Sequence, residues 1–136
     1  MIRPIVKDMM FLSQKSEKAS KSDINVIKDL QDTLAANSKS CVGMAANMIG
    51  YKKRIIIVNI GMLNMIMLNP TITKKAFPFE TEEGCLSLSG TRSTTRYKEI
   101  EVEFEDINFK KQRRIFKDWT AQIIQHEIDH CDGIII

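Results

Sequence analysis

Two histidines four positions apart, His126 and His130, sit in the stretch Gln125-His126-Glu127-Ile128-Asp129-His130. On an α-helix, residues four apart share a face, one turn from each other. Two imidazoles so placed can bind a single metal ion. Glu127 adjoins the first histidine, where its carboxylate can take a proton from a water on that metal. This is the His-Glu-x-x-His pattern of metal-dependent hydrolases. An ordinary amphipathic helix with two incidental histidines has the same five residues, so the pattern needs support from the rest of the chain.

A catalytic metal needs at least one more protein ligand and one position open to water. The best candidate is Cys85, in Glu82-Glu83-Gly84-Cys85-Leu86-Ser87. It follows a glycine and lies between strand signals. The competing account is a small buried hydrophobe, which is what most lone cysteines are. Cys41, Cys85 and Cys131 are an odd number with no Cys-x-x-Cys pair. A disulfide framework is therefore not expected, and a thiolate is available as a ligand in a reducing compartment.

These groups need elements to position them. The last helix is expected from a cap at Asp118 to about Cys131. An earlier helix, capped by Ser22 or Asp23, carries Ile24, Ile27, Leu30 and Leu34 at spacings of three and four and ends near Asn37. Arg54–Asn59 and Met65–Asn69 have strand composition, with a turn around Gly61–Asn64. Pro70 should end the second strand or place it at an edge. Glu99–Glu105 alternates, with Ile100, Val102 and Phe104 facing one way and four glutamates the other. After a turn at Asp106-Ile107-Asn108, Phe109–Phe116 should return as a hairpin partner. In Cys41–Gly50, Gly43 with Ala45 and Ala46 points to close approach of backbone to another element or a ligand. Met1–Lys21 is less regular, with apolar Ile5-Val6 and Met9–Leu12 before a polar stretch. The sum is an antiparallel α+β domain with a helix against a sheet.

The 136 residues suit one domain, 1–136. With 43% hydrophobic and 27% charged residues the chain should be globular. A net charge of +3, with scattered Lys and Arg, is too mild for nucleic acid. The best apolar run, Ile55–Val58, is strand-sized, so no membrane span is expected. No signal-peptide core is evident, and the cytoplasm is the default location.

Three stretches resemble, in order and spacing, the motifs of the peptide deformylases. Glu83-Gly-Cys-Leu-Ser87 and Gln125-His-Glu-Ile-Asp-His130 match the usual Glu-Gly-Cys-Leu-Ser and Gln-His-Glu-x-Asp-His at every position. Cys41-Val-Gly-Met-Ala-Ala-Asn-Met48 matches Gly-x-Gly-x-Ala-Ala-x-Gln except at its two ends, Cys41 and Met48. The resemblance implies a peptide-deformylase-like α+β fold, with antiparallel sheets around a C-terminal metal-binding helix. It implies Cys85, His126 and His130 as ligands of one divalent metal, usually Fe(II), with zinc, nickel or cobalt also accepted. It implies Glu127 as general base and acid in removing the formyl group from N-formylmethionyl peptides of nascent proteins.

Further roles follow from the same resemblance. The backbone N–H of Leu86 would be an oxyanion donor. Val42, Gly43, Trp119 and Ile123 would form the methionine pocket, with Glu83 and Gly84 also on the substrate side and Arg92 at the mouth of the cleft. Each of the four pocket residues also suits a core. Arg92 also suits a solvated surface, and Glu83 a salt bridge with Arg92 or Arg96. Gln125 would support a ligand from behind. The substrate would lie extended against a strand edge. The family's third oxyanion group is the glutamine that here is Met48, whose thioether has no hydrogen to donate. Losing such a donor typically costs about 2.7–4 kcal/mol, or 10²–10³ in turnover. Three readings stay open: a slow deformylase, a gap filled by Asn47 or another amide, or a fold that serves another small amide or binds without turnover. Many relatives continue past this point into a helix that helps ribosome docking. Here Ile134-Ile135-Ile136 is expected as a last strand, so that the chain is a monomer, or a weak dimer if that apolar edge is left uncovered.

Overall fold

The computed structural model describes residues 1–136. The element that organises the core is β2, Ile55–Asn59. Ile55, Ile56, Ile57 and Val58 are all fully buried. Successive strand side chains point to opposite faces, so both faces of β2 are covered. Such a run of β-branched residues suits a strand enclosed on both sides.

Five strands form one antiparallel sheet in the order β1-β2-β3-β4-β5. β1 is Gly43–Ala45, β3 Asn64–Cys85, β4 Leu88–Glu105 and β5 Lys111–Lys117. The expected antiparallel α+β architecture is present, but its strands join in a single sheet rather than several. Two features produce this. β3 does not stop at Pro70; the pairing with β4 shifts between Leu68 and Thr71, and Asn69 takes φ 51°. A bulge is where a strand tolerates a residue without an N–H. The Asn69 amide holds the bend by bonding Ala19 at both backbone atoms and Glu105 Oε2. Second, residues 73–82 are mostly polar and exposed on both sides, yet they pair with β4 as far as the hairpin tip.

The alternating segment behaves as its pattern requires. Ile100, Val102 and Phe104 are buried. The opposite glutamates face a cationic strand, with Glu99 paired to Lys117 and Glu103 to Arg113. β5 begins at Lys111, after the turn through Asp106–Lys110, rather than at Phe109.

α1 is a single turn, Met9–Leu12. α2, Ile24–Ala36, buries Val26, Ile27, Leu30 and Leu34 on one stripe, each worth roughly 1.5–3 kcal/mol relative to exposure. Neither proposed cap bonds the helix: Asp23 accepts from Ser20 N and Ser22 pairs with the Ser20 hydroxyl. α3 is Asp118–Cys131. Asp118 does not cap it; Asp118 is its first residue, with φ 53°, and Lys117 holds the cap position without a side-chain bond.

The terminal isoleucines form no strand. Gly133, at φ 75°, turns the chain, and the N–H groups of Asp132, Gly133 and Ile134 bond the last α3 carbonyls. Ile136 is buried. A Cβ on Gly133 would lie 2.5 Å from Ser13 O, so the segment after α1 packs directly on this turn. The exposed edge that pointed to a dimer is therefore absent. No helix is long and apolar enough to cross a membrane.

Candidate metal centre and cleft

The centre is assembled where the tip of the β3–β4 hairpin meets α3. Cys85 is the last residue of β3, and Leu86 and Ser87 make the turn into β4. His126 and His130 project from α3 toward that tip. Cys85 Sγ lies 3.4 Å from His130 Nε2, and the two Nε2 atoms lie 3.1 Å apart. All three donor atoms fall within 4.8 Å of one another. His130 is fully buried beneath the site, while His126 and Cys85 reach the cleft wall.

The donor set fits a divalent metal. His126 Nδ1 is engaged by Glu83 Oε1 at 2.8 Å. With its hydrogen on Nδ1, the imidazole presents a bare lone pair at Nε2, as metal ligation requires. Two imidazole lone pairs aimed at one point 3.1 Å apart repel unless a cation lies between them. Without a metal, the demand is met by a proton. Burial opposes protonation of His126, but Cys85 and Glu83 outweigh it and raise its pKa. Burial and the charge on His126 together depress His130.

Glu83 is itself held by Arg96, whose Nη2 donates to Oε1 at 2.7 Å and whose Nε lies 3.0–3.1 Å from both oxygens. Arg96 Nη1 donates to Asp129 Oδ2 at 2.6 Å, so one buried guanidinium ties β3 to α3. Burial opposes the Glu83 charge, but His126, Arg96 and Gln122 hold its pKa down at about 2. Gln125 fixes α3 on β4. Its Oε1 accepts from Tyr97 N and its Nε2 donates to Tyr97 O, as the peptide of a neighbouring strand would.

Glu127 points to the same space. Its Oε1 is buried with no partner, and burial lifts its pKa to about 7. Gly43 makes this approach possible, because a Cβ there would lie 2.8 Å from Ile123 Cγ2 and 3.0 Å from Glu127 Oε2. At Gly43 the backbone of β1 therefore runs directly against the Ile123 and Glu127 side chains of α3.

The open space is a cleft of about 450 Å³. One wall is a helical stripe, Trp119, Gln122, Ile123 and His126, and the facing wall includes Val42, Gly43, Met48 and Leu86. Gly84 and Glu83 also border it. Arg92 is the exception among the expected residues. It is half-buried in β4, makes no ion pair and is not on the cleft wall. Although Arg92 is opposite Glu83 in register, Glu83 leans toward α3 and Arg96 takes its charge. Consequently both Glu83 oxygens are committed to protein groups.

Gln122 is a site residue outside the matched motifs, whereas Arg96 and Asn47 were among the expected residues, in roles that the structure sorts out. Gln122 had a usable signal, four positions before His126 on one helical face. Arg96 is one of the two arginines expected beside Glu83, and the regular register there, which sets Arg92 opposite Glu83, does not select it; the lean of Glu83 toward α3 does. Asn47 is not the substitute oxyanion donor. Instead its Nδ2 donates to His130 O at 2.9 Å, away from the cleft. Met48 does border the cleft, and its Sδ lies 3.4 Å from Ala45 N.

A thiolate and two imidazoles beside a buried carboxylate in an open cleft define a mononuclear metal-dependent hydrolase. The sequence matches the family profile described as polypeptide deformylase over residues 2–136. It is 60% identical to a peptide deformylase of Clostridium beijerinckii, across the full length of both chains. Among solved structures, a class I type b peptide deformylase from Acinetobacter baumannii with Met-Ala-Ser bound superposes with TM-score 0.89 at 25% identity, covering 99% of this chain and 97% of that one. A peptide deformylase from Ehrlichia chaffeensis does so with TM-score 0.89 at 28% identity, over 99% and 86%. The chain belongs to the polypeptide deformylase family.

Proposed function

We propose that this metal-dependent deformylase acts on the N-formylmethionyl ends of nascent proteins, with Cys85, His126 and His130 holding one divalent ion, Fe(II) in the cell. Zinc, nickel and cobalt suit the same donors. The observation that carries the reading is the convergence of these three donor atoms beside Glu127 in an open cleft. A divalent ion there supplies Lewis acidity toward water and the formyl oxygen.

The chain's residues supply the rest. Glu127, buried and with a free oxygen, takes a proton from the attacking water and passes it to the departing amine, which leaves poorly unprotonated. Burial raises its pKa above the ordinary carboxylate value, which helps it hold the proton between the two steps. The backbone N–H of Leu86 is the protein's oxyanion donor. Met48 offers none. Asn47 is turned to His130 O, the Cys41 thiol donates to Gly43 O at 2.7 Å, and Gln122 is committed to Glu83. The slow-deformylase reading therefore fits better than a filled gap.

The peptide lies extended along the free edge of β1, with its first side chain between Val42, Gly43 and the Trp119–Ile123 stripe. The Met-Ala-Ser held by the Acinetobacter relative supports this substrate class. Residues 1–136 act as one domain, because the cleft draws on β1, the β3–β4 hairpin and α3 together. The cytoplasm and transient contact with the ribosome follow from a nascent-chain substrate. The test is steady-state hydrolysis of a formyl-Met-Ala peptide by anaerobically purified protein of measured metal content. Turnover proportional to bound metal is expected; none at full occupancy overturns the reading.

A further inference from the structure

Gln122 stands one turn before His126, on the stripe that walls the cleft. Its Nε2 donates to Glu83 Oε2 at 2.9 Å. The other oxygen, Oε1, receives His126 Nδ1 at 2.8 Å and Arg96 Nη2 at 2.7 Å. Arg96 Nε is shared between the two oxygens. Oε1 thus has two partners of its own, whereas the only undivided partner of Oε2 is Gln122. The terminal torsion of a glutamate is soft, with broad minima. Turning it would carry Oε1 off the His126 imidazole.

We propose that Gln122 is a positioning residue: it fixes the rotation of the Glu83 carboxylate, and through it the aim of His126 Nε2 and the grip of the site on its metal. The inference rests on the reading of Cys85, His126 and His130 as ligands. The amide has one sensible orientation, since turning its oxygen toward Glu83 would set two acceptors against each other. The bond also lies at the cleft wall, half-exposed. A bound peptide would shield it from water and strengthen it, so substrate binding and ligand geometry are coupled through one side chain.

Two variants separate the donor from the shape. Gln122→Met keeps the length and removes the N–H groups, whereas Gln122→Lys returns a donor toward Glu83. Cobalt-loaded protein reports ligand geometry through its visible bands, and competition with a chelator reports metal affinity. The expected result for Gln122→Met is a shifted cobalt spectrum and metal affinity lower by about tenfold, the low end of losses on removing groups that orient a ligand. Gln122→Lys should stay close to wild type in both. A Gln122→Met protein that matches wild type in spectrum and affinity overturns the proposal. Equal losses in both variants also overturn it, because the filling of the wall would then matter and not the hydrogen bond. A wild-type protein that binds no cobalt overturns the ligand reading itself, a different outcome from wild-type binding that Gln122→Met leaves unchanged.

Discussion

The carboxylate of Glu127 has a buried oxygen without a partner, as do His130 Nδ1, Ser87 Oγ and Asn47 Oδ1 around it. A group left so is expensive in a purely structural role, which suits a proton carrier that meets its partner only when substrate arrives. Glu127→Ala should lower formyl-peptide turnover by about 10²–10⁴, the usual range for losing a general base, with metal content unchanged. Retained turnover at full metal occupancy would remove Glu127 from the reaction. Met48 lends itself to the opposite experiment. Its sulfur already lies against Ala45 N, so a glutamine there can accept that N–H through Oε1 and turn its NH₂ to the cleft. Met48→Gln is expected to raise kcat by roughly 10²-fold, by restoring a transition-state donor. An unchanged kcat would mean that oxyanion stabilisation does not limit this enzyme. At this scale the grouping of Cys85, His126, His130 and Glu127 was legible, because helix periodicity and a Gly-Cys turn are local signals. The choice of Arg96 over Arg92, and the turning of Asn47 away from the cleft, depend on packing across the chain.

Elements carry their own tests. β1 and α3 meet at Gly43, and the sequence already marked this residue as a point of close approach. Gly43→Ala forces Ile123 or Glu127 to move, since the added carbon would lie 2.8–3.0 Å from each. Stability should fall by about 1–3 kcal/mol, as for overpacking, and kcat should fall more than tenfold because Glu127 is displaced. Steady-state kinetics beside a denaturant melt checks both, and an unchanged kcat would show that Glu127 tolerates the shift. The β4–β5 turn is a test of pH. Asp106 Oδ1 accepts from Asn108 N and Lys110 N, and Oδ2 accepts from Gln112. The Lys110 N–H, foremost among these, holds its pKa below the ordinary 3.8. A depressed pKa means stability that is present above pH 3.8 and lost as pH falls through the folded value. The gap in melting temperature between wild type and Asp106→Ala should therefore narrow below about pH 4, and a gap constant down to pH 2 would show that ionised Asp106 contributes nothing. The turn itself was readable from Asp-Ile-Asn. The long passage of β3 was not, because its polar residues face solvent on both sides and Pro70 signals an end where the chain makes a bulge.

In the whole molecule, the proposed metal ligands join parts far apart in the chain. Cys85 lies at the tip of the long hairpin and the histidines lie in the last helix, so a bound ion would cross-link sheet and helix. Removing it with a chelator should lower stability by about 2.7 kcal/mol where free metal had been 100-fold above Kd. For a chain of this size that is a fall of roughly 5–10 °C in Tm. A calorimetric scan with and without chelator measures it, and coincident scans would deny the cross-link. The cleft wall has one more consequence. Trp119 is the only tryptophan in the chain, it borders the cleft, and it is 59% exposed. Its emission is free of background from any other indole. A peptide settling over the ring would shift that emission to the blue, and a paramagnetic ion entering the centre would quench it. The protein thus carries its own optical probe of occupancy, and binding can be followed in a rapid-mixing fluorimeter without a label, even when turnover is too slow to assay.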